Sequence, residues 1–224
     1  MRNLIAACAV AFAAVSPAAA QTPPSSFEAA RYEGLHKAAH TGDMAALERL
    51  IGEGADIEAR DGSGRTPLRV AAFASREDVV RALAAAGADM NALDRDAYDA
   101  VTIAAVADDV EMLQVALELG NSASNVTSPY DGTALIAAAH LGHKEVVRTL
   151  VEAGAPLDHV NNLGWTALLE VVILGDGGPD HVESLRHLLE GGADRAIADP
   201  GGVTPLEHAR RRGYADMVGL LEAE

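Results

Sequence analysis

Apolar residues recur along this chain on a helical period, in short bursts that come in pairs. Thr133–Asn161 holds one complete unit. Ala134, Leu135, Ala138 and Ala139 fall three and four residues apart, the spacing that lines one face of a helix. Gly142-His143 breaks the run. A second amphipathic run, Glu145–Glu152, ends in Ala153-Gly154-Ala155, and a short segment of mixed polarity closes the unit. The pattern predicts two short helices joined by a turn and followed by an extended connection.

The unit repeats. The place of Thr133 is taken by Thr66, Asp99, Thr166 and Thr204, with Glu33 as a weaker first copy, at spacings of 33, 33, 34, 33 and 38 residues. A second anchor moves in phase: Gly54-Ala55-Asp56, Gly87-Ala88-Asp89, the degenerate Gly120-Asn121-Ser122, Gly154-Ala155-Pro156 and Gly192-Ala193-Asp194. Such a period marks a stack, because one helix pair cannot bury its apolar side alone and must lean on its neighbours. In the copy from Thr66, Pro67 sits in the first helical turn, where its missing N–H costs nothing. Leu68, Ala71 and Ala72 form the buried face, and alanine there lets adjacent helices approach closely. Val79, Val80, Leu83 and Ala84 are the expected stripe of the second helix, and Gly87 the left-handed residue that ends it.

These motifs, Thr66-Pro67-Leu68-Arg69-Val70-Ala71-Ala72 above all, resemble the ankyrin-repeat family, whose 33-residue unit is a β-turn plus two helices with a T-P-L-H-x-A signature. The resemblance runs from about Glu33 to Glu224. It implies an all-α solenoid with projecting turns, and protein–protein binding in place of catalysis. The expected repeats are 33–65, 66–98, 99–132, 133–165, 166–203 and 204–224, the first and last acting as caps with polar outer faces. From Gly154 onward the wording is similar to exported bacterial ankyrin proteins. His36 stands at the fourth position of the signature, where the resemblance implies an imidazole bonded to backbone.

The first 20 residues read differently. Arg2, an apolar run over Leu4–Val15 and Ala18-Ala19-Ala20 before Gln21 form a secretory signal, with cleavage expected after Ala20 and export to the periplasm. The run is too short to span a bilayer. Cys8, the only cysteine, would leave with it, which removes thiol nucleophiles and thiolate metal sites. Residues 21–32 hold a Pro/Ser linker and a helix start near Phe27.

Formal charge is −16, and −17 without Arg2. Such a field opposes nucleic acid and anionic membranes and favours a basic protein partner. A monomer is expected, with no cofactor and no metal.

Departures from the repeat carry the remaining information. The third copy lacks Thr-Pro and the mid-turn glycine, and its connection, 121–130, is long and polar; the soft part of the stack is expected there. Asn125-Val126-Thr127 matches a glycosylation sequon but is taken as turn chemistry. The fifth copy carries about five extra residues around Leu174–His181. They match neither a phosphate loop nor a calcium loop. No catalytic triad or carboxylate pair is recognisable by spacing.

The register also selects the hollow flank. Residues just before each anchor, and just after each Ala-Ala pair, should be exposed; Leu163 and Leu174 are among them. Arg65, Tyr98, Tyr130, Asp131, His140, Trp165 and Glu170 are the expected protein-binding residues, since Tyr and Trp dominate interface energies and Glu170 stands where an apolar residue is usual. Glu170 is expected to bond Asn161, Asn162 or His140. Two functions follow. One is a non-enzymatic periplasmic module holding a protein partner, as inhibitor, immunity protein or enzyme support. The other is a small-ligand or metal-binding protein using His140, Glu170 and the 175–181 loop.

Overall fold

A computed structural model describes residues 22–223; the expected signal peptide lies outside them. A single turn of helix, α1 (Ser26–Ala29), precedes six helix pairs: α2 (Gly34–Thr41) with α3 (Met44–Gly52), α4 (Pro67–Phe73) with α5 (Glu77–Ala85), α6 (Ala100–Val106) with α7 (Val110–Glu118), α8 (Ala134–Leu141) with α9 (Lys144–Glu152), α10 (Ala167–Ile173) with α11 (Pro179–Glu190), and α12 (Pro205–Arg212) with α13 (Ala215–Glu222). Among the described residues the regular structure is helical, and the extended pairing is one isolated bridge, Thr127 with Gly132.

The anchor residues start the inner helices. Thr66, Thr133, Thr166 and Thr204 each accept, through the side-chain oxygen, the backbone N–H three residues on, at 3.3–3.5 Å. Asp99 does the same for Thr102 at 2.8 Å, so the third copy keeps the cap although it has lost the threonine. The inner helices α2, α4, α6, α8, α10 and α12 pack in file, as do the outer helices behind them. Ala38, Ala39, Ala71, Ala72, Ala104, Ala105, Ala138 and Ala139 are all buried in the seam, with Leu68, Leu83, Leu113, Leu135 and Leu150 filling the space between the rows. This is the serial all-α stack that the period requires.

Between pairs the chain forms hairpins, and their builder is a short polar side chain five residues before each anchor. Asp61 Oδ1 accepts the N–H groups of Ser63 and Arg65, Asp94 those of Asp96 and Tyr98, Asn161 those of Leu163 and Trp165, and Asp199 those of Gly201 and Val203, all at 2.8–3.0 Å. Ser128 fills this place in the middle hairpin and accepts from Tyr130 alone, at 3.2 Å. Successive hairpins are joined laterally: Arg95 N–H donates to the Ser63 carbonyl at 3.2 Å and Asn162 N–H to the Tyr130 carbonyl at 2.9 Å. At the matching place in the middle hairpin Pro129 has no N–H, and Ser128 donates to the Ala97 carbonyl at 2.9 Å instead.

The 121–130 connection, expected to be soft, is tied down by polar contacts. Asp99, fully buried, accepts Asn121 Nδ2 and Asn125 Nδ2 at 2.8 Å each on Oδ2. Its Oδ1 accepts the Thr102 hydroxyl at 2.7 Å, and the Thr102 Oγ1 also meets the Thr127 hydroxyl at 2.9 Å. Asn121 Oδ1 accepts Val101 N–H at 3.0 Å. Asn125 is therefore a structural residue, its amide held on Asn91 and Asp99.

The extra residues of the fifth copy also have a structural use. They lengthen α11 to 12 residues and fold the loop before it onto the stack. His181 bridges Asp176 at 2.9 Å and the His140 carbonyl at 3.0 Å, and the Tyr214 hydroxyl donates to the buried Gly175 carbonyl at 3.0 Å. Gly142 closes α8 at φ +72, and a Cβ on it would meet the His181 ring at 2.9 Å, so both backbone and space require glycine there.

Arg69 stands where the signature has histidine. His36, at the same place one copy earlier, donates from Nε2 to the Arg65 carbonyl at 3.0 Å. Arg69 copies that bond, Nε to the Tyr98 carbonyl at 3.2 Å, but its fully buried Nη1 and Nη2 find no partner among the described residues. Burial lowers its pKa, while Asp99, Asp94, Asp89 and Glu58 pull the other way.

Two stability changes follow. Arg69→His keeps the carbonyl bond and removes two orphaned donors, so urea unfolding should show a gain of about 1 kcal/mol. Asp99→Ala strands the Asn121, Asn125 and Thr102 donors and should cost about 3 kcal/mol in the same measurement.

Candidate functional site

The hollow flank is lined by the hairpins and by the inner helices, and the seven expected contact residues fall into three groups along it. Arg65 is not available to a partner. It is 3% exposed, because the chain's own N-terminal segment covers it. Arg65 Nε donates to Asp61 Oδ2 at 2.8 Å, Nη2 to Glu28 Oε1 at 2.6 Å and Nη1 to the Thr22 carbonyl at 3.3 Å. The Tyr32 hydroxyl adds a bond to Asp61 Oδ2 at 2.7 Å. Segment 22–32 thus serves the first hairpin as a preceding repeat would, and the expectation of an exposed Arg65 is corrected.

Tyr98 is also buried, at 4%. Loss of solvent, with Asp96, Asp94 and Tyr130 adding, pushes its phenol up to about 12. Its backbone serves Arg69 and Asp94, so its role is to hold the second hairpin.

The other five residues gather on the third and fourth hairpins and on α8 and α10. Tyr130 and Asp131 are exposed at the third tip. The next hairpin carries Trp165, half-buried, and is pinned to the third through Asn162, whose Nδ2 also donates to the Pro129 carbonyl at 3.1 Å. Behind them lies a polar group set into an apolar helix face. Glu170 is 4% exposed; Oε1 accepts Asn161 Nδ2 at 2.9 Å, and Oε2 lies 3.4 Å from Nδ1 of the partly exposed His140. The repeat that follows carries the same geometry with the partners exchanged, His208 Nε2 lying 2.8 Å from Asp199 Oδ2. In both copies one side chain ties the hairpin to the helix beneath it. Glu170 supports the surface from below, bonded to Asn161 and close to His140, two of the three partners expected for it.

Exposed aliphatic side chains complete the surface. Of the six exposed large hydrophobic residues among the described ones, five lie from Val126 to Leu174: Val126, Tyr130, Val160, Leu163 and Leu174. Val126 and Val160 went unnoticed in the sequence, where an isolated valine in a connection carries no periodic signal. The hairpin-building Asp61, Asp94, Asn161 and Asp199 were also missed, although their constant distance from the anchor was there to find.

No described helix is long and apolar enough to cross a membrane. Among the described residues no three His, Cys, Asp or Glu side chains come together as a metal site would require.

Comparison with known proteins agrees with this architecture. Family models for ankyrin repeats match residues 101–194 and 35–83. The ankyrin repeat protein YahD of Escherichia coli (strain K12) is 34% identical over 187 residues, which is 83% of this chain and 92% of that protein. The chain belongs to the ankyrin-repeat family. A crystal structure of an ankyrin repeat domain from Acinetobacter baumannii AYE is 42% identical, covers 84% of this chain and 95% of its own, and superposes with a TM-score of 0.79. A nematode L-asparaginase, from Dirofilaria immitis, matches at 29% identity, but the chain spans only 30% of it. Ankyrin repeats are protein–protein interaction modules, and this family's fold is generally a non-enzymatic scaffold.

The Arg65 cluster predicts an acid response. Glu28 is held at about 2, from 4.5, chiefly by the Ser25 hydroxyl and N–H, with Arg65 adding. A depressed carboxylate stabilises fully above its unfolded value and loses that contribution as pH falls through its folded one. Glu28→Gln should therefore lower the thermal midpoint at pH 7. The gap to the parent should close between pH 4.5 and about 2, as followed by circular dichroism.

Proposed function

We propose that this chain is an exported, non-enzymatic interaction module that holds one protein partner on the part of its hollow flank formed by the third and fourth hairpins and by α8 and α10. The observation that carries the reading is the placement of unshielded apolar and aromatic side chains. Tyr130, Leu163 and Leu174 stand open on the partner side of a stack whose core is otherwise closed, with Trp165 half-buried beside them. Exposed aromatic and aliphatic groups rimmed by polar ones mark protein interaction surfaces.

Export rests on the leader-like first 20 residues, and a periplasmic, monomeric protein is the reading they favour. The acidic balance of the chain favours a basic partner and disfavours nucleic acid. Inhibition, immunity and enzyme support are all compatible roles. A small-ligand or metal function would have to start from His140 and Glu170, and Glu170 is already engaged with Asn161.

The test is affinity capture with the purified mature protein from a periplasmic extract, read by mass spectrometry. One protein should be retained by the parent and lost, at least tenfold, by a variant carrying Tyr130→Ala with Trp165→Ala. Equal retention by parent and variant would overturn the assignment.

A further inference from the structure

The tip of the third hairpin combines three features that no other hairpin brings together. The first is chemical. At the position three residues before the anchor, the five hairpins carry Ser63, Asp96, Tyr130, Leu163 and Gly201, so the third and fourth alone present large aromatic or aliphatic groups there. Both are open, Tyr130 at 38% and Leu163 at 41%, and the Asn162 bond to the Tyr130 carbonyl sets their hairpins side by side.

The second feature is conformational. One residue further on, every hairpin needs a left-handed backbone. Gly64, Gly164 and Gly202 supply it at φ +77, +81 and +75. Ala97 and Asp131 adopt it at φ +63 and +52, where a side chain carries a strain that glycine avoids. Ala97 brings no functional group to that position, whereas Asp131 brings a carboxylate.

The third feature is electrostatic. Of the charged groups of the first two hairpins, Arg60, Asp61, Arg65 and Asp94 are spent within the protein, whereas Arg95 and Asp96 are exposed as opposite charges on adjacent residues. Arg65 is locked on Asp61 and Glu28, and Arg60 bridges the Gly64 and Leu93 carbonyls at 2.8 and 2.7 Å. Asp61 and Asp94 build their own turns. Asp131 is exposed, and among the described residues its carboxylate accepts no hydrogen bond and meets no Lys or Arg. Its backbone is engaged instead, the N–H donating to the Ser128 carbonyl at 3.3 Å and the carbonyl accepting His159 Nε2 at 2.6 Å, which holds the tip in place.

We propose that Tyr130, Asp131 and Leu163 form a subsite that reads a lysine or arginine standing next to an apolar residue in an extended segment of the partner. The cation pairs with the Asp131 carboxylate while lying on the Tyr130 ring, and the neighbouring apolar side chain covers Leu163. A carboxylate beside an open aromatic face is the pairing a guanidinium or ammonium group recognises, and the net charge of −16 excludes acidic segments in favour of basic ones. This rests on the proposed protein-binding function and specifies the chemistry of its partner.

The experiment uses a phage-displayed random dodecapeptide library selected on the purified protein. The best peptide is then synthesised with a fluorescent label and titrated by anisotropy. Selected peptides should be enriched in Lys or Arg adjacent to an apolar residue. Asp131→Gly and Tyr130→Ala should each weaken the labelled peptide at least tenfold. Asp131→Gly should do so with an unchanged or raised thermal midpoint, because glycine suits that backbone, and this separates lost recognition from lost folding. Ala97→Gly makes the same backbone change one hairpin earlier and should leave binding as in the parent. No enrichment, enrichment without basic residues, or parent-like binding by Asp131→Gly would overturn the inference. If Asp131→Gly binds normally while His140→Ala or Leu174→Ser weakens the peptide, the subsite fails and the interaction surface survives. If all these variants bind like the parent, the surface assignment fails as well.

Discussion

No helix pair in this chain can cover its own apolar side, and the whole structure answers that constraint. The inner helices present alanines in pairs, small enough for neighbouring backbones to close on one another, and the leucines behind them fill the gap to the outer row. Each pair is therefore stable only against the next. The ends of such a row are its weak points. Towards the C-terminal end, α12 carries the charged Glu207, Arg210, Arg211 and Arg212. At the N-terminal end, segment 22–32 takes the place of a missing repeat, clamping Arg65 between Glu28 and Asp61 and adding the Tyr32 bond.

The same stacking leaves the hairpins as the freely variable part of the molecule, and their chemistry changes along the row. In the first two, four charged side chains turn inward, Arg60 and Arg65 cross-linking backbone and segment and Asp61 and Asp94 building the turns, while Arg95 and Asp96 stay exposed. In the third and fourth, the turns are made by Ser128 and Asn161, both uncharged, and the tips carry Tyr130, Leu163 and Trp165. A row that consumes its charges at one end and displays aromatic and aliphatic groups in the middle has a preferred place for a partner. Glu170 belongs to this division too. Tied to Asn161 and close to His140, it joins the fourth hairpin to α8 and α10, so the displayed groups rest on a braced platform.

Irregular positions show what a repeat tolerates. Asp99 replaces threonine and still caps its helix, then recruits Asn121 and Asn125, which turns a degenerate connection into a buried hydrogen-bonded network. Arg69 replaces the signature histidine and keeps one of its bonds, at the expense of two guanidinium nitrogens without partners. Pro129 cannot donate the lateral bond its neighbours make, and the bond moves to Ser128. In each case the backbone pattern survives because a different polar atom takes over the task.

The sequence by itself determined the period, the paired helices, their anchors at Thr66, Thr133, Thr166 and Thr204, and the buried alanine seam, because helical spacing and turn residues are local properties that each repeat states again. It also placed Tyr130 and Trp165 on the hairpins and named Asn161, Asn162 or His140 as the partner of Glu170, of which Asn161 and His140 meet it. Tertiary structure alone decided that Arg65 and Tyr98 are buried, that residues 121–130 are tied to Asp99, and that the extra residues before α11 pack against Tyr214 and His140. Those outcomes depend on partners 26 to 41 positions away along the chain. Local periodicity says which face a residue occupies; which side chain from the neighbouring unit reaches it is settled only when the units stack.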